Sequence, residues 1–321
     1  MPLRILSVTL ALARDGRRTY RRRPGGSLKC AAFQGLLATG RARRYELKLF
    51  GTGQWAPAPT LAGSEAKGFM FEKSRWYSSR LQCDTTLARW GHEGQPVLVF
   101  PTAGGDAEEI DRFLMIRVLE PLLAAGRIKI YSCDSVAGRV FFDKSHSPEH
   151  RMYITNQFHQ YVKHEVVPAI RTDCRTEDIP IWAAGASIGA FHAVAVTCRF
   201  PDVFHRALGM SGTYDILRLI DYPQPTDYFQ VSSPLHFVPT LSGPHLDVLR
   251  TRYIHLASGE GKWENIGESF RMGKVLGDKG IPNWVESWGN VDHDWVTWRA
   301  NLPRYLEQWT SPDQRQAAAN V

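Results

Sequence analysis

The chain has 321 residues, 43% of them hydrophobic, which is enough to bury a large core within one domain. It contains no apolar stretch near eighteen residues, so no membrane span is expected, and its five cysteines (Cys30, Cys83, Cys133, Cys174, Cys198) show no metal-ligand spacing and leave one unpaired, as suits a reducing compartment. The net charge of +7 is an N-terminal property: residues 1–50 hold twelve Lys and Arg against Asp15 and Glu46, while the other 271 residues carry 27 Lys and Arg against 30 Asp and Glu, so no nucleic-acid partner is expected for that larger part.

Residues 1–69 read as a basic, poorly ordered extension. Leu3–Ala13 has the apolar core of a signal peptide but only Arg4 as its positive start, so a cytoplasmic location is expected rather than secretion. Tyr45-Glu-Leu-Lys-Leu-Phe50 alternates like a strand and is the exception within this arm. A catalytic domain is expected over residues 70–310, followed by a tail over 311–321. Residues 75–90 suggest one or two edge strands. Pro96-Val-Leu-Val-Phe100 is an uncharged apolar strand that runs into Pro101-Thr102-Ala103-Gly104-Gly105-Asp106 and a helix over Asp106–Ala125, with Asp106 as a candidate N-cap. Gly-rich turns at helix starts bring backbone N–H groups close to negative charge.

Ile128–Cys133 reads as a strand. Glu149–Ile170 reads as one long amphipathic helix through Tyr153, Phe158, Tyr161, Val162 and Val166. His159 and His164 on it are expected at solvated or edge positions. Next come an apolar strand (Ile179, Ile181, Trp182, Ala183, Ala184), the turn Gly185-Ala186-Ser187-Ile188-Gly189 and a small-residue helix (Ala190, Phe191, Ala193, Val194, Ala195). Glycines two places either side of Ser187 permit a sharp reversal that exposes its hydroxyl for attack on a carbonyl carbon. His192 on the following helix reads as packing.

A nucleophilic serine needs a base, an acid that orients the base, and donors for the oxyanion. After a strand at Ala207–Met210 and a Pro-, Asp-, Tyr- and Ser-rich loop excursion over 212–245, the run Arg252–Ser258 empties into Gly259-Glu260-Gly261-Lys262-Trp263-Glu264-Asn265. A helix at Gly267–Gly277 follows. Trp284–Trp288 then empties into Gly289-Asn290-Val291-Asp292-His293-Asp294 before a last helix over Trp295–Trp309. Both loops follow late strands, on the edge where α/β sheets build their sites. Among eleven histidines only His293 sits in such a loop, and it is the expected base. Glu264 is the expected acid, since Trp263 and Asn265 beside it suggest an enclosed setting; Glu260 is the alternative. Asp292 and Asp294 lie too close to His293 in sequence to orient its ring. The oxyanion donors are expected from the amides of Ile188 and Ala103, with Thr102, Gly104 and Trp295 as substrate contacts. No metal or cofactor is called for.

Alternating strands and helices imply an α/β fold with a mostly parallel sheet and helices on both faces. Val97-Leu-Val-Phe-Pro-Thr-Ala-Gly-Gly105, the serine elbow, Met210-Ser-Gly-Thr-Tyr-Asp215, Lys279-Gly-Ile-Pro282 and His293-Asp-Trp-Val-Thr-Trp-Arg299 resemble the Putative esterase family of α/β-hydrolases. This group is similar to esterase D (S-formylglutathione hydrolase), feruloyl esterases and mycolyltransferases. The resemblance covers about residues 70–310 and implies an α/β-hydrolase fold, Ser187 as nucleophile, His293 as base and a small-molecule ester as substrate. Two other readings use the same scaffold: an acyltransferase, in which an alcohol other than water takes the acyl group, and a catalytically inactive binding protein.

Overall fold

The computed structural model describes residues 70–220 and 227–311. The basic arm, its Tyr45–Phe50 segment and nearly all of the C-terminal tail lie outside the described residues. The expected edge region resolves into two antiparallel strands, β1 (Phe71–Ser78) and β2 (Cys83–Trp90), paired along their length from Phe71–Trp90 to Ser78–Cys83. Of the two only β1 is an edge, because β2 pairs onward with β4 (Ile128–Cys133).

The remaining strands are β3 (Gln95–Phe100), β4 (Ile128–Cys133), β5 (Ile181–Ala186), β6 (Phe204–Met210), β7 (Tyr253–Ser258) and β8 (Asn283–Ser287). Together they form one eight-stranded sheet in the order β1-β2-β4-β3-β5-β6-β7-β8. Every pair from β4 to β8 is parallel, as crossover helices require. After β3 the chain first crosses to β4 on one side and then to β5 on the other. The crevice beyond the carboxyl ends of β3 and β5 is therefore the topological switch point, where open α/β sheets bind ligands.

Residue alternation along the strands builds a core on each face. Val97, Val99, Ile128, Ile130, Trp182 and Ala184 pack with Ile116 and Leu119 of α2 (Met115–Ala124) and with Leu302 and Leu306 of α12 (Trp295–Trp309). Their neighbours Leu98, Phe100, Tyr131, Cys133, Ile181 and Ala183 point the other way. These meet Phe158 and Tyr161 of α4 (Pro148–Tyr161), Ile170 of α5 (Val167–Cys174) and Ala193 and Val196 of α6 (Ile188–Arg199).

Four expectations change in detail. The single helix over Asp106–Ala125 is two, α1 (Glu109–Arg112) and α2, broken at Leu114 with a left-handed φ of 62°. Asp106 does not cap α1; its carboxylate accepts from the Glu108 amide at 2.9 Å and pairs with Arg112 at 2.8 Å. The long helix has a π turn over Val162–Val166 between α4 and α5, where Pro168 has no N–H to give the His164 carbonyl. The excursion over 212–245 carries short helices: α7 (Leu217–Ile220), α8 (Asp227–Ser232), α9 (Pro234–Phe237) and α10 (Gly243–Leu249).

His159 is a fifth difference, being fully buried rather than at an edge. Arg199 Nη1 lies 3.0 Å from His159 Nδ1, and His159 Nε2 lies 3.0 Å from His192 Nδ1. A guanidinium only donates, so His159 Nδ1 accepts, and its Nε2–H donates to His192. Phe100, Phe158 and Phe191 surround the pair, which makes this polar chain part of the packed core.

Candidate active site

Ser187 sits between β5 and α6 with φ 58° and ψ −123°, a backbone state that side-chain-bearing residues rarely adopt. The strain is on Ser187 itself; neither flanking glycine has positive φ. Those glycines serve close approach instead. A Cβ on Gly185 would lie 2.4 Å from the Gly189 carbonyl carbon, and one on Gly189 would lie 2.4 Å from the Phe100 carbonyl oxygen. Strand, turn and helix thus pack backbone to backbone, and the turn is pinned by Ser187 N–H donating to Met210 O at 2.9 Å. The Ser187 hydroxyl has no hydrogen-bond partner among the described residues and stands partly exposed at the switch point.

His293 and Glu264 come together as the sequence suggests. His293 Nδ1 lies 3.3 Å from Glu264 Oε2, and the two side chains are 7% and 1% exposed. A carboxylate only accepts, so Nδ1 carries the proton of the neutral ring and Nε2 keeps a basic lone pair. Glu264 also accepts from Ser211 Oγ on Oε1, at 2.5 Å, and from Ser258 Oγ on Oε2, at 3.0 Å. Burial alone would push this carboxyl up, but the hydrogen bonds from His293, Ser211 and Ser258 outweigh it and hold Glu264 below the usual carboxylate range. Trp298 packs edge-on against the His293 ring, with centroids 5.0 Å apart, and its indole N–H donates to Ser211 Oγ at 2.9 Å.

Glu260 is exposed, and its carboxylate accepts from Ser287 Oγ rather than facing His293. Asp292 accepts from the Lys262 amide at 2.7 Å, and Asp294 caps α12 through the Val296 amide. Both aspartates hold the loop and leave the ring to Glu264. The acid loop and the base loop are laced together by four backbone bonds: Trp288 N to Ser258 O, Glu260 N to Gly289 O, Gly261 N to Val291 O and His293 N to Lys262 O, at 2.7–3.0 Å.

The Ile188 amide heads α6, where a helix leaves its first N–H groups without internal acceptors, and no other acceptor meets it among the described residues. The loop after β3 leaves Ala103 and Gly104 exposed, with Gly104 at φ 77°. Thr102 differs from its neighbours, because its amide and hydroxyl are both turned to Glu109. Trp295 is half-buried, stacked on Phe113 at 4.7 Å and meeting Trp298 edge-on at 5.2 Å. Ser211, Ser258 and Trp298 were not assigned to the site from the sequence. The strand order gives the missing signal, since β6 lies beside β5 and β7 beside β6, with Ser211 directly after β6 and Ser258 ending β7.

The profile of the family described as "Putative esterase" matches residues 134–309, more than half of the chain and all three of Ser187, Glu264 and His293. The chain belongs to this family. Solved structures that resemble it include a ferulic acid esterase, at 16% identity over 76% of this chain and 98% of that one, with a TM-score of 0.59. An S-formylglutathione hydrolase from Agrobacterium tumefaciens matches at 15% identity over 78% and 98%, with a TM-score of 0.52. The enterobactin esterase of Shigella flexneri matches at 17% identity over 75% and 59%, with a TM-score of 0.50. No curated protein sequence matches the chain. At these identities the structures establish the α/β-hydrolase fold, and family membership makes the chain a carboxylic ester hydrolase. Among the described residues no helix is long and apolar enough to cross a membrane, and no group of three or more His, Cys, Asp or Glu could hold a metal ion.

Proposed function

We propose that this family member hydrolyses a small-molecule carboxylic ester through a Ser187–His293–Glu264 triad and an acyl-enzyme. Ser187 Oγ attacks the ester carbonyl carbon as its proton passes to His293 Nε2. Glu264 stabilises the imidazolium that forms, and the amides of Ile188 and Ala103 receive the negative oxygen. His293 then returns the proton to the departing alkoxide, which leaves as an alcohol, and Ser187 carries the acyl group. Water attacks that acyl carbon, gives its proton to His293, and the carboxylic acid departs as Ser187 recovers its hydroxyl. Thr102, Gly104 and Trp295 are assigned to the walls that the substrate meets.

The observation that carries this reading is the buried Glu264 carboxylate bonded to His293 Nδ1, on the loops after β7 and β8, at the same carboxyl edge of the sheet as the strained Ser187 turn after β5. The test is a fluorophosphonate probe with a panel of p-nitrophenyl esters of increasing acyl length. The wild type should be labelled at Ser187 and turn over at least one ester, and Ser187→Ala should lose both, with activity falling several orders of magnitude. Labelling at Ser211 instead would move the nucleophile and defeat the reading.

A further inference from the structure

We infer that Glu109 is the positioning residue of the oxyanion loop, holding Thr102 so that the next amide, that of Ala103, is presented to the developing negative charge. The inference rests on the proposed role of Ala103 and adds the group that sets its geometry. Glu109 lies seven residues beyond Thr102 in the single turn of α1 and is only 6% exposed. Its Oε2 accepts from the Thr102 amide at 2.7 Å and its Oε1 accepts from Thr102 Oγ1 at 2.7 Å. One side chain thus captures both donors of one loop residue.

Ion pairing does not explain a carboxyl in this place. Among the described residues no Lys, Arg or His nitrogen lies within salt-bridge distance of Glu109, and its neighbour Arg112 pairs with Asp106 instead. Burial pushes the Glu109 carboxyl up, so the position works against its charge. The loop is also shaped around it: a Cβ on Gly105 would lie 2.6 Å from the Glu109 carboxyl carbon, so a side chain there would push the carboxyl out of its place.

The other end of the loop is fixed independently. Gly105 N donates to Thr102 O, Ser135 N donates to Gly105 O, and Ala107 N donates to Asp134 Oδ1, each at 3.1 Å. Between the two clamps, Ala103 and Gly104 donate no amide hydrogen bond among the described residues. With the Thr102 amide consumed and Pro101 lacking one, Ala103 is the first amide after β3 left free to serve an oxyanion. Without the clamp at Thr102, that amide would compete for the same site and the turn at Ala103 would be free to rotate.

Glu109→Leu and Glu109→Gln separate this role from a charge effect. Glutamine can still accept from the Thr102 amide and donate to its hydroxyl, whereas leucine can do neither. Rates should be expressed per serine titrated with the fluorophosphonate, so that loss of folded protein is not counted as loss of catalysis. Glu109→Leu is expected to lower kcat about 10- to 100-fold with KM within about threefold, less than deleting an oxyanion donor outright. A boronate that mimics the tetrahedral intermediate should lose affinity in parallel. Glu109→Gln should stay within about threefold of wild type. Where Glu109→Leu fails to fold, Thr102→Val, which removes one of the two donors, should lower kcat several-fold per titrated site. Unchanged turnover per site in Glu109→Leu, or an equal loss in Glu109→Gln, would overturn the inference. Failure of Ser187 to take the probe at all would instead indict the triad.

Discussion

The Trp298 indole and the Glu264 carboxylate meet on one hydroxyl, that of Ser211: the indole N–H donates to Ser211 Oγ, and the Ser211 O–H donates to Glu264. Because the indole can only donate, the hydroxyl rotor is committed and the carboxylate oxygen is fixed. Ser211→Ala should leave a buried indole N–H and one carboxylate oxygen unsatisfied. The expected outcome is a stability loss of about 1–3 kcal/mol in urea unfolding and a several-fold fall in kcat with little change in KM. An unchanged kcat would show that His293 does not depend on this support.

The strain at Ser187 makes a second, purely thermodynamic prediction. Both Ser187→Ala and Ser187→Gly lose the nucleophile, but only glycine occupies φ 58°, ψ −123° without cost. The glycine variant should be more stable than the alanine variant by about 1 kcal/mol or more, despite the greater freedom of its unfolded chain. Equal midpoints in denaturant titration would mean the turn is not strained in solution.

Glu264 and Glu260 differ in what a neutral amide would do. Glu264→Gln should cut kcat by about three orders of magnitude, since it can no longer stabilise the imidazolium. Glu260→Gln, on an exposed side chain bonded to Ser287, should stay within about threefold. Steady-state kinetics on any accepted ester reads both, and the reverse ranking would transfer the acid to Glu260.

Stability should fall as the solution is acidified from neutrality. Burial lowers the pKa of His159, holds His192 near about 3 and, aided by Arg252 and Arg171, holds His205 near about 4. A histidine with a depressed folded pKa stays neutral in the native state while the unfolded chain takes up its proton near 6.5. Its contribution is therefore complete above about pH 6.5 and is lost progressively below it, by up to about 1.4 kcal/mol per pH unit for each group. Glu264, whose carboxyl is held low, adds a further loss as pH falls below 4.5. The raised Glu109 carboxyl runs the other way and offsets part of that. Urea unfolding at pH 7.5, 6.5 and 5.5 should give a falling free energy; a flat profile would contradict the buried histidines.

Much of this arrangement was legible because strand ends and loops carry local signals. The apolar run before Ser187, the glycines around it and the Gly/Asn/Asp loop around His293 needed only pattern and order. Glu264 could be preferred to Glu260, yet part of what settles its setting is non-local: Ser258 ends the strand that leads to it, but Ser211 follows β6 and reaches it only through the sheet order. His159 misled for the same reason, since helical spacing gives no hint of the Arg199 and His192 nitrogens that satisfy it in the core. The break at Leu114 was equally hidden, because an apolar residue at positive φ leaves no compositional mark. Glycine would have.

The lacing of the acid loop to the base loop has a consequence for how such an enzyme changes over time. Four main-chain bonds tie residues 258–262 to 288–293, so the distance between carboxylate and imidazole is set chiefly within one ribbon, with Ser211 and Trp298 as its supports from outside. The exposed stretches of the segment between Ser211 and β7 can then vary in length without detuning the proton-transfer pair, while Ile216, Phe229 and Leu249 hold its short helices to the core. Diversification is channelled into that segment.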